Sequence, residues 1–164
     1  MTIERRLAQL FRLNSKGWER HANPMSVWSR YSVLPVFLMA LWLREFSVVL
    51  SISLFVLALL WMFFNPLLFP KPKDLSSWAS KAVKGEQLYL NRDKVSLPDH
   101  HQLPLYAILK FSASLGFLLS FWAAYTFNMV VCILAVFITY LAKSWFLDRM
   151  VWLYQDSISL SEKS

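Results

Sequence analysis

Glycine and cysteine are both scarce in this sequence, and each shortage excludes a class of protein. Three glycines in 164 residues are too few for a flexible, low-complexity chain, and no glycine-rich phosphate loop or G-x-S-x-G serine motif occurs. The single cysteine, Cys132, cannot build a disulfide framework or a cysteine metal site within one chain. A disulfide scaffold, ATP-driven chemistry and a serine hydrolase are therefore not expected.

Apolar residues are abundant instead, and they come in long blocks. The chain is 57% hydrophobic and 16% aromatic, with a mean hydropathy of +0.41, outside the usual balance of a globular domain. Blocks of about 20 apolar residues match the thickness of a bilayer core. The sequence therefore predicts an all-α polytopic membrane protein in a single membrane domain.

Four transmembrane helices are predicted, arranged as two hairpins in a four-helix bundle. Asn23-Pro24 forms a strong helix start, Pro35 is expected to kink the first span, and Asn65-Pro66 is expected to end the second. The predicted spans are 24–43, 46–64, 104–125 and 128–156, the last of which extends into the cytoplasm.

The remaining segments are predicted to lie at the membrane surface or in the cytoplasm. Residues 1–22 show the spacing of an amphipathic helix on the inner leaflet, although it could equally pack on the protein's own loop. Residues 65–103 form a proline-containing cytoplasmic cap loop with an amphipathic stretch near Trp78–Leu90. Residues 157–164 form a tail.

The formal charge of +7 is interpreted as a topology signal and not as a nucleic-acid-binding surface. Lysine and arginine concentrate in residues 1–30 and 65–104, which places both segments in the cytoplasm under the positive-inside rule. We therefore expect a multi-pass protein of the plasma (inner) membrane with both termini cytoplasmic and with no leading signal peptide. The expected interfacial or lipid-contacting residues are Arg5, Arg6, Arg12, Trp28, Arg30, Trp145, Arg149 and Trp152.

A faint repeat places two histidines at equivalent positions. His21 and His101 each stand three residues before a proline that opens a predicted outbound helix, Pro24 and Pro104. Both histidines would lie near a helix N-terminus at headgroup depth, where the helix dipole favours an anion. Coincidence is the alternative explanation.

Polar side chains that could carry chemistry all fall on the predicted cytoplasmic side. Asp148 has no cation three or four residues away, so we expect either an interhelical salt bridge to Arg20, Arg30 or Lys81, or a site carboxylate held between tryptophans. The candidate catalytic residues are His21, His101, Glu86 and Asp148, and the candidate zinc or iron ligands are His21, His100, His101, Glu86 and Asp148. Adjacent histidines on a loop are not expected to point the same way easily.

No acid or histidine is predicted at mid-bilayer depth, which argues against a proton-coupled carrier and an intramembrane haem protein. Lys110 lies within a span, but it can snorkel to the interface. Cys132 is expected to be a small buried hydrophobe.

Four phrases in the sequence resemble an uncharacterised family of small prokaryotic membrane proteins. They begin at His21 (HANP), Asn65 (NPLLFP), Trp78 (WASKAVKGE) and Trp145 (WFLDRMVW). The resemblance spans roughly residues 18–156. It implies a membrane location and a prokaryotic source but no reaction, and it draws attention to His21, Asn23, Glu86, His101, Asp148 and Arg149.

The leading functional expectation is an accessory or binding protein that contacts a membrane partner or lipid headgroups through its cytoplasmic face. One alternative is a metal-dependent or acid-base membrane enzyme on a lipid-soluble substrate, which requires His21, His101, Glu86 and Asp148 to converge. The other is a small transporter or channel. The expected partners are the lipid bilayer and either another membrane protein or a second copy of the chain, and a metal ion is the only cofactor considered.

Overall fold

The computed structural model describes residues 15–92, 97–101 and 104–161, and these form helices, turns and loops without a β-strand. The all-α prediction is confirmed. The helices are α1 (Ser15–His21), α2 (Pro24–Arg30), α3 (Val33–Leu43), α4 (Val48–Leu68), α5 (Trp78–Leu90), α6 (Leu105–Tyr125) and α7 (Met129–Ser161), with a 3-10 turn at Asp99–His101 between α5 and α6.

Within the described residues, four helical stretches are long and apolar enough to cross a membrane. They are Pro24–Leu43, Val48–Leu68, Leu105–Tyr125 and Met129–Leu160. By length and composition, the chain is therefore a candidate four-span membrane protein. Residues 1–14, which hold most of the predicted amphipathic helix, lie outside the described part of the chain.

The first stretch is interrupted four residues before the proline that was predicted to kink it. Helix α2 ends at Arg30, Tyr31 and Ser32 form a turn, and α3 begins at Val33. Pro35 consequently occupies the first turn of α3, where its missing N–H costs no intrahelical hydrogen bond. The break therefore replaces the expected kink.

The second stretch continues through the proline that was predicted to end it. Pro66 lies inside α4, which runs to Leu68 and not to Phe64. A proline within a helix leaves the carbonyl four residues earlier without its usual donor. That carbonyl belongs to Met62, and the Nη2 of Arg30 donates to it at 3.4 Å. A side chain thus replaces the missing backbone donor, which allows α4 to continue.

The chain divides into two compact units, each made from separate stretches of sequence. Unit 1 comprises Met1–Trp28, Pro66–Leu103 and Leu147–Ser164, and unit 2 comprises Ser29–Asn65 and Pro104–Phe146.

Unit 2 has apolar side chains on its outside and hydrogen-bonded polar side chains within. Val49, Phe111 and Val130 are each more than two-thirds exposed. In contrast, Asn65 is fully buried and donates to Ser29 Oγ at 2.8 Å. Helices α3 and α6 pack together through Leu34, Leu38, Ala123 and Ala124. This distribution is what lipid as a solvent requires, because polar groups must be satisfied internally.

Unit 1 is built around α5, which coincides with the amphipathic stretch predicted within residues 65–103. Its N-terminus is capped by Ser77, whose hydroxyl accepts from the Ser80 backbone N–H. Trp18 and Ala22 of the N-terminal segment pack on Ala79 and Val83 of α5. The last helix, α7, runs to Ser161 and so extends beyond its predicted end at Asp156.

Candidate functional site

The closest convergence of metal-ligating side chains in the described residues joins two adjacent histidines to an aspartate of α7. His100 Nε2 and His101 Nε2 lie 2.9 Å and 2.7 Å from the same atom, Asp156 Oδ2. The centroids of the two imidazole rings are 4.4 Å apart. We call His100, His101 and Asp156 the histidine–aspartate cluster, and all three residues belong to unit 1.

The 3-10 turn explains how adjacent histidines can reach one carboxylate, contrary to the expectation from sequence. The backbone N–H of His101 donates to the Pro98 carbonyl at 2.8 Å, which tightens the chain at Asp99–His101. In this tight turn the two rings lie tilted beside each other and present their Nε2 atoms to Asp156. With the carboxylate as acceptor, both Nε2–H groups donate to Asp156 Oδ2.

Burial differs sharply across the cluster. The side chain of His101 is only 5% exposed, whereas those of His100 and Asp156 are 66% and 41% exposed. His101 is therefore held inside unit 1, while the other two side chains leave one side of the cluster open to solvent.

Asp156 was not among the residues predicted from sequence. It was treated only as the approximate end of the last transmembrane helix, and it is separated from His101 by 55 positions. Its position eight residues after Asp148 on a continuous helix was the available signal, but that spacing does not reveal which loop the helix faces.

A second group of side chains in unit 1 links three tryptophans through an ion pair between an aspartate and an arginine. Trp28 stacks on Trp78 with ring centroids 5.5 Å apart. The indole Nε1 of Trp78 donates to Asp148 Oδ1 at 3.1 Å. Asp148 Oδ2 accepts from Arg149 Nη2, also at 3.1 Å, and the Arg149 guanidinium lies 4.2 Å from the Trp152 ring centroid. We call these five residues the tryptophan ladder.

The partner of Asp148 differs from the three cations proposed from sequence. The neighbouring Arg149 supplies the salt bridge, in place of Arg20, Arg30 or Lys81. Consecutive helical residues do not usually face each other, but the long arginine side chain folds back over α7. The Asp148 carboxylate also accepts from one tryptophan, Trp78, which lies on α5 and not on its own helix.

The other predicted site residues do not join these constellations through the contacts described. His21 is buried and lies 3.4 Å from the Ser26 hydroxyl. Glu86 is half-buried on α5, next to Gly85, whose backbone packs directly against the Met150 carbonyl. Among the described residues, the group of metal-ligating atoms that converge contains His100 and His101 but not His21, Glu86 or Asp148.

Asn23 acts as the sequence predicted, at the start of α2. Its Oδ1 accepts from the Met25 backbone N–H at 2.9 Å, the geometry of a helix N-cap. Its Nδ2 donates to the Pro70 carbonyl at 3.0 Å. One asparagine therefore caps α2 and ties down the segment that follows α4.

The predicted interfacial residues have different environments. Trp28, Trp145 and Trp152 are each 53% exposed. Arg30 is half-buried and donates to the Met62 carbonyl, which also belongs to unit 2. Arg5, Arg6 and Arg12 lie outside the described residues.

Comparison with known proteins places the chain in a family. A family model described as "Family of unknown function (DUF6653)" matches residues 2–164. No curated protein and no solved structure matches the chain.

Proposed function

The chain belongs to the DUF6653 family, whose function is unknown, and on that premise we propose that it is a multi-pass membrane protein that binds anionic lipid headgroups through the tryptophan ladder. It acts as an accessory or binding protein and performs no reaction in this role. The contact lies on the cytoplasmic face, where the positive-inside rule places the basic segments.

One observation carries this proposal: Arg149 lies between a partly exposed carboxylate, Asp148, and a half-exposed tryptophan ring, Trp152. Its Nη2 is engaged by Asp148 and its guanidinium plane covers Trp152. Arg149 Nε is buried and has no hydrogen-bond partner among the described residues, so this atom does not face solvent. A guanidinium has five N–H groups, and the Arg149 side chain is 26% exposed, so the Nη donors that Asp148 does not engage remain for a phosphate oxygen.

The exposed tryptophans give the ladder the chemistry of a membrane interface. Trp28 and Trp152 lie at its two ends, and both are more than half exposed. Tryptophan is enriched at headgroup depth because its ring is apolar while its N–H is polar. Arginine beside such rings attracts the negative surface of the inner leaflet.

The test is a lipid titration on the full chain in a neutral detergent. Phosphatidylglycerol and phosphatidylcholine are added separately, and lipid retention is measured by native mass spectrometry. We expect preferential retention of phosphatidylglycerol. Arg149→Gln should weaken its apparent affinity about fivefold, because one arginine near an anionic surface contributes about 1 kcal/mol.

Arg92→Gln is the matched control. Arg92 also covers an aromatic ring in unit 1, with its guanidinium 4.4 Å from Tyr89, but it lies outside the ladder. Equal retention of the two lipids by the wild type, or equal weakening in both variants, would contradict the proposal. A protein that co-purifies with the wild type and is lost only in Arg149→Gln would instead identify the ladder as a protein interface.

A metal-dependent membrane enzyme is the second candidate function, and a different observation favours it. The histidine–aspartate cluster combines two imidazole nitrogens and one carboxylate oxygen with an open side. Such a ligand set, with positions left for water and substrate, is common in metalloenzymes. This candidate requires that the cluster binds a metal ion.

A further inference from the structure

The histidine–aspartate cluster has the ligand chemistry of a mononuclear metal centre, and we infer that His100, His101 and Asp156 bind one divalent transition-metal ion. The inference rests on residues that take no part in the tryptophan ladder, so it stands or falls independently of the lipid-binding proposal. Within the described part of the chain, this is the one group of three such side chains whose ligand atoms all lie within 4.8 Å of one another.

The spacing of the ligand atoms suits a metal with right-angled coordination. Two ligands about 2.1 Å from a metal and at a right angle to each other are about 3.0 Å apart. The observed separations between the histidine nitrogens and Asp156 Oδ2 are 2.9 Å and 2.7 Å. A small outward movement of the carboxylate would therefore admit an ion in place of the two hydrogen bonds.

The two imidazole nitrogens and one carboxylate oxygen determine which class of metal the site favours. Imidazole nitrogens suit zinc, iron, copper and nickel, whereas calcium and magnesium prefer oxygen ligands alone. Two histidines and one carboxylate are the ligand set of non-haem iron(II) centres, and they also suit zinc with an open position. We therefore assign the site to a divalent transition metal and not to an alkaline-earth ion.

Only one of the three side chains, that of His101, is buried, and this distinguishes the cluster from a histidine–aspartate pair that serves only to stabilise the fold. A buried histidine needs a hydrogen-bond partner, and Asp156 supplies one to His101. His100 is two-thirds exposed and could be satisfied by water, yet its ring converges on the same carboxylate oxygen. Anchoring by His101 and exposure of the other two side chains leaves coordination positions for solvent.

The experiment uses cobalt(II) as the probe. The full chain, with its affinity tag removed, is purified in mild detergent, stripped with a chelator and titrated with cobalt(II). Visible absorption and isothermal calorimetry report binding. We expect saturation at one cobalt(II) per chain, and competition by zinc(II).

Three variants test the assignment. His100→Ala removes an exposed ligand, and Asp156→Asn keeps the size of the third ligand but removes its charge. Both should weaken cobalt(II) binding by more than about tenfold, because losing a metal ligand costs more affinity than losing a residue that hydrogen-bonds to a ligand. Asp148→Asn is the matched control, because it removes a carboxylate of the same helix that lies outside the cluster.

His100→Ala decides the question even if Asp156→Asn fails to fold. Its side chain is exposed, so the variant should retain the wild-type circular dichroism and elution volume. Absence of saturable binding by the wild type would overturn the inference. Unchanged cobalt(II) affinity in folded His100→Ala, or equally weakened affinity in Asp148→Asn, would also overturn it. The role of the cluster would then be to hold the 3-10 turn against α7 by hydrogen bonds.

Discussion

The hydroxyl of Tyr140 donates a hydrogen bond to the backbone carbonyl of Tyr31. That carbonyl stands four residues before Pro35, the position from which a backbone N–H would reach it if α3 began one residue earlier. The aromatic rings of the two tyrosines also pack together, 5.2 Å apart. A side chain of α7 thus stabilises the break between α2 and α3.

Tyr140→Phe should destabilise the protein by about 1 to 3 kcal/mol, because it leaves a partly buried carbonyl without this donor. Pro35→Ala restores an N–H at the position that can serve the Tyr31 carbonyl. In the double variant the loss caused by Tyr140→Phe should therefore be smaller than in the wild-type background. Unfolding free energies in mixed detergent micelles, compared in a double-mutant cycle, measure this coupling. Strictly additive effects would show that the tyrosine does not replace the missing backbone donor.

Trp78→Phe should lower the stability of unit 1 more than Asp148→Asn does. The phenylalanine keeps an aromatic ring for Trp28 but removes the indole donor to Asp148, and a hydrogen bond to a charged group contributes about 1.5 to 3 kcal/mol. Asparagine at 148 still accepts from Trp78 and loses only a partly exposed ion pair with Arg149, which contributes about 0 to 1 kcal/mol. Thermal denaturation of both variants gives the order, and Trp145→Phe serves as an exposed-tryptophan control. The opposite order would mean that the ion pair dominates the ladder.

Gly85→Ala should severely destabilise the protein. A Cβ atom at this position would lie 1.8 Å from the backbone oxygen of Met150, so α5 and α7 would have to separate. Because the obstacle is backbone and cannot change rotamer, we expect a loss of more than about 3 kcal/mol, at the upper end of overpacking effects. Lys84→Ala, at the half-buried neighbouring position, should be tolerated. Circular dichroism and size-exclusion chromatography compare the two, and a well-folded Gly85→Ala protein would refute the close helix contact.

Cysteine labelling tests the predicted topology. In a Cys132→Ala background, Glu45→Cys and Lys71→Cys place thiols at two side chains that are equally exposed, at 64% each. A membrane-impermeant maleimide added to intact cells should label Glu45→Cys, because the turn after the first span is predicted to be external. Lys71→Cys should react only after permeabilisation, since basic segments are retained inside. Labelling of both, or of Lys71→Cys alone, in intact cells would contradict the orientation.

Much of the fold was predictable because each span is a long apolar block with a clear start. Pro24 and Pro104 stand at the beginnings of helical stretches, as their fixed backbone angle favours. The behaviour of Pro35 and Pro66 was not predictable. Each depends on a donor from a distant residue, Tyr140 or Arg30, and a single sequence contains no signal for such pairing.

The candidate site was predictable in its residue types but not in its partners. Histidine, aspartate and tryptophan, which the sequence pointed to, recur in the histidine–aspartate cluster and in the tryptophan ladder. Pairing His101 with Asp156 requires knowing that α7 continues past the apolar block and which face of it meets the 3-10 turn. The short side chain of Asp156 and its ordinary helical context gave no indication of either.

The assembly of unit 1 from three separated stretches has a consequence for how the protein is made. His101 leaves the ribosome 55 residues before Asp156, and translation at about 5 to 20 residues per second separates them by roughly 3 to 11 s. Throughout that interval the histidines of the 3-10 turn lack their carboxylate, and for most of it the ladder lacks Asp148, Arg149 and Trp152. Unit 1 therefore cannot complete its fold during synthesis of its first two stretches, and the surfaces that contact its third stretch stay uncovered until α7 has been synthesised.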